Sequence, residues 1–456
     1  MAKTRTAFFC TECGNETPRW QGQCPACGAW NSLAEEPSAP GHAGKPRRRI
    51  TSARPSPLPV ALRDVQTTDA ARWRTGIDEL DFVLGGGVVP GSVVLVGGEP
   101  GVGKSTLLLQ AAAQLQRDTR PALYVSGEES AAQVRMRADR LEGDSGGVQF
   151  LPETSLEAIL EHAATAAPGV LIIDSIQTIA TEGVEGAPGN VGQVRECAAR
   201  LQRFAKESAA AVFLVGHVTK GGVVAGPRTL EHIVDTVLYF EGAEGLAHRV
   251  LRATKNRFGG VDEIGVFRMT PTGLIGVANP SELFLGERSA AVSGTAVTAV
   301  LEGTRPLLVE VQALCTRASY GAAQRVATGF DRQRLALLIA VLEKRAGLRL
   351  AETDTFLNIV GGLRVAEPAG DLAVAAALAS SVRDRVLPAH AVFIGELGLG
   401  GELRGVSQIE RRLAEAARLG FKTVFLPVRS RPERAPPELE LVAAKDVGDV
   451  LARVLA

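Results

Sequence analysis

The sequence is short of most features that would mark a secreted, membrane-spanning or strongly polyionic protein. Six cysteines among 456 residues are too few for a disulfide scaffold. No stretch of 18 or more apolar residues occurs, which leaves no candidate for a spanning helix. The first ten residues, MAKTRTAFFC, lack an apolar segment followed by a small-residue cleavage site, so a cytoplasmic location is the expectation. Charge of one sign is missing as well. Fifty Lys and Arg balance fifty Asp and Glu, so contact with nucleic acid has to come from local basic patches. What remains is 45% hydrophobic and 22% charged, the composition of a globular chain with length for about three domains.

Four of the six cysteines crowd into residues 10 to 27. Cys10-x-x-Cys13 and Cys24-x-x-Cys27 bracket a ten-residue loop, and each pair can place two thiolates on one knuckle, so the four sulfurs suit a tetrahedral Zn²⁺. A closed site of four thiolates keeps no position open for water and is structural. From Glu35 to Leu62 the chain is rich in Pro, Ser and Arg and has no sustained period, as a linker does. Within it Lys45, Arg47, Arg48, Arg49 and Arg54 carry five positive charges with no acid between them, suited to phosphates or simply to a solvated hinge.

From Trp73 onward, short apolar runs (Val93 to Val96, Leu123 to Val125, Val170 to Ile173, Val212 to Val215) alternate with helical patterns, which predicts an α/β fold with a parallel sheet covered on both faces. Thr236 to Phe240 and Arg249 to Ala253 read as further strands. The apolar period lapses near Pro280 to Arg288, and a second mixed domain begins beyond it, with helices expected over Arg332 to Arg345, Leu372 to Val382 and Ile409 to Leu419. The expected division is therefore a finger at 1–33, a linker at 34–62, a nucleotide domain at 63–285 and a C-terminal domain at 286–456.

Gly98-Glu99-Pro100-Gly101-Val102-Gly103-Lys104-Ser105-Thr106 fits G-x-x-x-x-G-K-[ST] and lies between an apolar strand and a helical run, the context its mechanism requires. Its glycines let successive backbone N–H groups face phosphate oxygens, Lys104 reaches the β- and γ-phosphates, and Ser105 is the Mg²⁺ ligand. ATP and Mg²⁺ follow as cofactors. Val170 to Asp174 is an apolar strand ending in a carboxylate suited to the Mg²⁺ side of such a site. Glu128 and Glu129 follow another strand, where one of them can polarise an attacking water and the other cap the next helix; Glu128 is preferred. His217, ending the Val212 to Val215 strand, is either a γ-phosphate sensor or an ordinary core histidine. Lys255-Asn256-Arg257-Phe258-Gly259, read as following a strand, packs two cations around an amide and an aromatic. They suit a neighbouring subunit's γ-phosphate, a DNA phosphate or a solvated turn.

The combination and order of these motifs resemble one family over nearly the whole chain: the bacterial RadA (Sms) DNA repair proteins, RecA-related ATPases. The resemblance rests on the four-cysteine finger, GGEPGVGKST, YVSGEES, VGHVTKGGVVAGPRTLEH, KNRFG and a Lon-protease-like C-terminal part. It implies a RecA-like ATPase core between a zinc finger and a Lon-like domain. It further implies a homohexameric, DNA-dependent ATPase and helicase that acts on single-stranded and branched DNA, works with the RecA recombinase and promotes branch migration. By position, Lys104 and Ser105 match the family's nucleotide loop, Asp174 its Mg²⁺-side carboxylate and Glu128 the glutamate of RecA-type sites. Lys255 and Arg257 fall on the signature that couples ATP to DNA, Lys220 and Arg228 on a DNA-facing loop, and 182–192 on a second such loop.

Where a Lon-type protease has its serine, this chain has Leu372, and where the lysine is expected it has Glu410. Leucine has no nucleophilic atom and glutamate cannot replace a desolvated amine, so the C-terminal domain reads as a scaffold. Basic residues it can present are Arg383, Arg385, Arg404, Arg411 and Arg412. An ATP-dependent protease and an ATP-gated assembly switch without translocation are the competing readings.

Overall fold

The computed structural model describes residues 5–10, 16–17, 19–25, 28, 30–38, 72–117, 120–141, 146–217, 230–242, 248–261, 263–285, 292–318 and 323–455. Cys13, Cys27, Lys220, Arg228 and the basic run from Lys45 to Arg54 lie outside them. The chain divides into two compact units, one up to Gly276 and one from Val277 onward. Among the described residues, no helix is long and apolar enough to cross a membrane.

At the N-terminus, β1 (Arg5–Cys10), β2 (Glu16–Thr17) and β3 (Leu33–Ser38) pair antiparallel in the order β2-β1-β3. Buried Cys10, Cys24 and Leu33, with Phe8 against them, make up its small apolar core. Both described members of the cysteine quartet thus point inward.

The nucleotide domain contains α1 (Asp78–Val83), β4 (Val93–Gly98), α2 (Lys104–Arg117), β5 (Ala122–Ser126), α3 (Ala131–Ala138), β6 (Gln149–Pro152) and α4 (Leu156–Ala166). These are followed by β7 (Val170–Asp174), α5 (Val191–Ser208), β8 (Ala211–His217), β9 (Thr236–Gly242), β10 (His248–Asn256), β11 (Ile264–Thr270) and β12 (Gly273–Gly276). Nine strands form one sheet in the order β6-β5-β7-β8-β4-β9-β10-β11-β12. The first six are parallel, and the last three join antiparallel. Every residue of β4 is buried, because a central parallel strand is covered on both faces and gains from an unbroken apolar run. Val94 and Val96 belong to one core, Val93 and Leu95 to the other, as the two-residue period of a strand requires. The parallel arrangement brings the ends of β4, β5, β7 and β8 to one edge of the sheet, and the residues expected to handle nucleotide stand on that edge.

One expectation about this sheet needs correcting. β10 does not stop at Ala253 but runs through Asn256, so Lys255 lies inside a strand rather than after one. Its register on β9 shifts between Ala253 and Lys255, and pairing resumes at Lys255 with Val237, which lets the strand carry polar residues to its end.

The C-terminal unit has a sheet β13-β14-β16-β15, formed by β13 (Thr295–Glu302), β14 (Arg305–Arg317), β15 (Arg325–Thr328) and β16 (Thr353–Ile359). A parallel trio follows from β17 (Ala391–Phe393), β20 (Thr423–Pro427) and β21 (Glu440–Ala444), with a hairpin of β18 (Glu396–Leu397) and β19 (Leu403–Arg404). Its helices are α6 (Ser281–Phe284), α7 (Arg332–Ala346), α8 (Asp371–Arg383), α9 (Ile409–Arg418) and α10 (Val447–Val454). Ten residues of α8 are buried, half of them alanine, so this is a central helix rather than a surface one.

Candidate nucleotide site

The phosphate loop leaves β4 at Gly98 and enters α2 at Lys104. Its backbone is possible only with glycine at two positions. Gly98 has φ +155°, and a Cβ there would stand 2.5 Å from the Phe240 carbonyl oxygen. Gly103 has φ +113°, and a Cβ would meet Met269 Cε at 2.9 Å. Glu99, Pro100 and Gly101 form the exposed crest, Val102 and Lys104 are buried, and Ser105 and Thr106 open the helix half-buried. Lys104 Nζ donates to the carbonyls of Gly98 and Glu99, each at 2.8 Å.

Burial lowers the Lys104 ammonium to about 8, opposed by the nearby carboxylates of Asp174 and Glu128. The nucleotide-free protein therefore loses this charge as pH rises through about 8. Phosphates restore the proton, so ATP affinity is expected to weaken between about pH 7 and pH 9, by up to tenfold per pH unit above the transition. Equilibrium binding of a fluorescent ATP analogue across that range checks this, and a pH-independent affinity would contradict it.

Asp174 ends β7 almost fully buried, and its Oδ2 accepts the hydroxyl of Tyr124 on β5. Burial and the Asp174 carboxylate both hold the Tyr124 proton in place, while Ser105 also bonds that hydroxyl. A serine hydroxyl and an aspartate carboxylate thus meet around one phenol, a hard oxygen set of the kind that suits Mg²⁺.

The two neighbouring glutamates are sorted by their partners. Glu129 is engaged through both oxygens by Arg137 of α3, with Nη1 at 2.6 Å from Oε2, and its N–H donates to Ser126 Oγ at 3.0 Å. Ser130 and Gln133 form a reciprocal capping box that starts α3 and so places Arg137. Glu128 instead turns to the phosphate-loop side. Its Oε1 accepts the Ser175 hydroxyl at 2.6 Å and faces His217 Nε2 at 3.2 Å. Among the described residues nothing pairs with its Oε2. His217 closes β8 beside Gly98 in register, and its buried Nδ1 has no hydrogen-bond partner among the described residues.

Lys255 and Arg257 are not brought to this edge. Arg257 donates to Asp235 Oδ1 at 3.0 Å, and Asp235 Oδ2 accepts the N–H of Val93 at 3.0 Å. Val93 begins β4 and Gly98 ends it, so the pair lies about 16 Å from the phosphate loop of its own chain, at 3.3 Å per residue. Lys255 Nζ donates to the carbonyls of Glu231 and of Val234, the latter at 2.8 Å. Arg257 is 51% exposed although Asp235 is only 7% exposed, so its guanidinium can still reach beyond the chain.

Tyr124, Ser175 and Asp235 are parts of this arrangement that the sequence reading did not single out. Tyr124 stood inside the YVSGEES segment and Ser175 directly after Asp174, but their partners come from other strands.

In the C-terminal unit Leu372 is fully buried, and Glu410 stands exposed at the start of α9. The adjacent Asp371 is 0% exposed and held by both arms of Arg334, with Leu397 N–H donating at 3.0 Å. Arg334→Ala would strand that buried carboxyl and is expected to destabilise this unit by about 3–5 kcal/mol in denaturant unfolding. A loss below about 1 kcal/mol, as for an exposed pair, would contradict the expectation. Arg412 corrects the list of presentable cations. It is 0% exposed, with Nη1 at 2.6 Å from the Ala299 carbonyl and Nη2 at 2.8 Å from Glu367 Oε2. The inward face of an amphipathic helix took it in because Glu367 and two carbonyls satisfy its donors. Arg383, Arg385, Arg404 and Arg411 are exposed.

Glycine cradle, buried lysine and paired carboxylates at the edge of a parallel sheet define a P-loop ATPase. Comparisons with known proteins agree. A model described as "AAA domain" matches residues 57–223, one described as "Rubredoxin metal binding domain" matches 8–35, and one described as "Subunit ChlI of Mg-chelatase" matches 324–430. "DNA repair protein RadA" of Bacillus subtilis (strain 168) is 48% identical over 452 residues, 99% of both chains. Its namesake in Pseudomonas aeruginosa is 50% identical over 448 residues, 97% of both, and that of Listeria monocytogenes is 48% identical over 462 residues, covering 100% of this chain and 99% of its own. The chain belongs to the RadA family of DNA repair proteins, with an AAA-type ATPase domain, an N-terminal metal-binding ribbon and a ChlI- or Lon-like C-terminal part.

Proposed function

We propose that this protein is a DNA-dependent ATPase that moves along single-stranded DNA and extends branches in recombination intermediates, as a homohexamer working with the RecA recombinase in the cytoplasm. The observation that carries the reading is the convergence of Lys104, Asp174 and Glu128 on one sheet edge of a chain in a DNA repair family. The backbone from Gly98 to Thr106 cradles the phosphates, and Lys104 neutralises them. Ser105 and Asp174 would hold Mg²⁺, which would supply charge compensation to the phosphates. Glu128 orients and deprotonates the attacking water, and His217, bonded to the same carboxylate, senses whether the γ-phosphate is present.

Arg257 and Lys255 are too far from their own loop to act on it. Their place is the γ-phosphate of a neighbouring copy, while Lys220 and Arg228 face DNA. Cys10, Cys13, Cys24 and Cys27 hold Zn²⁺ in the finger of 1–33, a linker covers 34–62, and the ATPase and a non-proteolytic scaffold follow, divided at Gly276 and Val277 rather than at the expected 285 because α6 packs with the C-terminal unit. Glu128→Gln tests the motor against an assembly switch. The variant should bind ATP and assemble, yet lose branch extension on a synthetic three-stranded intermediate. Extension that persists without hydrolysis would overturn the motor and favour the switch.

A further inference from the structure

Glu128 stands on a turn, with a 43% exposed side chain and three rotatable bonds, so a group that acts on water needs something to hold it. The structure supplies this from β7. Ser175 follows Asp174 and is fully buried. Its hydroxyl lies 2.6 Å from Glu128 Oε1, the short separation of a charge-assisted O–H···O bond. The serine is itself fixed by its surroundings. Ser175 O accepts Thr178 Oγ1 at 2.8 Å, and Ile176 N–H donates to Val215 O of β8 at 3.0 Å. The turn that carries Glu128 is stitched to the same place. Gly127 N–H donates to Asp174 O at 3.1 Å, and a Cβ at Gly127 would meet Thr178 Oγ1 at 2.2 Å, so the two turns touch backbone to side chain.

We infer that Ser175 is a positioning residue for hydrolysis: its hydroxyl, together with His217, occupies Oε1 of Glu128 and so leaves Oε2 aimed as the proton acceptor for water. The inference rests on the reading of Glu128 as the water-activating group. The orienting bond comes from the residue next to the Mg²⁺-side carboxylate, so placement of the base is tied to the strand that holds Asp174.

The test is steady-state and single-turnover ATP hydrolysis by the full chain with Ser175→Ala, Glu128→Gln and both together, alongside thermal unfolding. Loss of one charge-assisted hydrogen bond that orients the base should lower kcat about 30-fold with KM within about twofold. In the Glu128→Gln background the same serine change should alter the residual single-turnover rate less than about threefold, because its route to the chemistry is already cut. Ser175→Cys keeps the volume but offers a weak donor, and it should show the same kcat loss should the alanine variant fail to fold. Near-normal turnover by Glu128→Gln would overturn the underlying reading of the glutamate. An inactive Glu128→Gln beside a Ser175→Ala enzyme of unchanged kcat would overturn the positioning role alone. So would a serine effect of equal size in both backgrounds.

Discussion

Lys104→Ala is expected to cut ATP turnover by at least ~1000-fold, about 4 kcal/mol of transition-state stabilisation, while leaving the melting temperature close to that of the unchanged protein. The two halves of this expectation have one cause. The ammonium is nearly buried and drawn down to about 8 by desolvation, so the fold carries it at a cost that only a polyanion repays. Removing it frees two carbonyl oxygens, those of Gly98 and Glu99; Glu99 stands on the exposed crest, and the space the lysine side chain vacates beside Gly98 opens toward it. Stability and activity should therefore part company, and a turnover assay beside a thermal melt reads both. A variant with near-normal turnover would contradict the role, and one that simply unfolds would show that the lysine holds the loop rather than the phosphate.

Stripping metal from the N-terminal ribbon, by chelation or by Cys24→Ser, should unfold that hairpin while the ATPase core stays folded. Its described apolar core amounts to Cys10, Cys24 and Leu33 with Phe8, far too little burial to offset the ordering of some thirty residues. A structural Zn²⁺ contributes ~10–16 kcal/mol of apparent binding free energy in small fingers, enough to decide whether such a unit folds. Limited proteolysis with and without chelator gives the readout, with cleavage in the first forty or so residues and an intact remainder expected. Unchanged resistance after measured metal release would contradict it. Trp20 and Trp30, 56% and 72% exposed, are poor reporters, since unfolding changes their surroundings little.

Both expectations rest on residues whose chemistry is legible in the sequence. The phosphate loop announces itself because glycine is the residue that tolerates the conformations at 98 and 103. The parallel sheet announces itself because strands such as β4 and β7, covered on both faces, are written as unbroken apolar runs. Other features depend on neighbours distant in sequence. Nothing in Glu128-Glu129 says which carboxylate is tied down; Arg137, eight residues beyond Glu129, decides it through the capped helix between them. Ser175 meets Glu128 only because β5 and β7 are adjacent. The KNRFG segment suits a neighbouring subunit's phosphate, DNA or a solvated turn equally well on its residues alone, and only the parallel pairing of β9 with β4 shows that Arg257 stands at the far end of the loop strand, away from its own phosphate loop. Arg412 reads as surface on charge alone, whereas Glu367 and two carbonyls make burial affordable.

Conversion of hydrolysis into movement on nucleic acid is the central claim, and the rate of ATP turnover as single-stranded oligonucleotide is titrated in tests it most directly. The account predicts that turnover rises severalfold with the oligonucleotide and that Lys104→Ala abolishes both the basal and the stimulated rate. A Lys104-dependent rate that is the same with and without DNA at every length tried would contradict it.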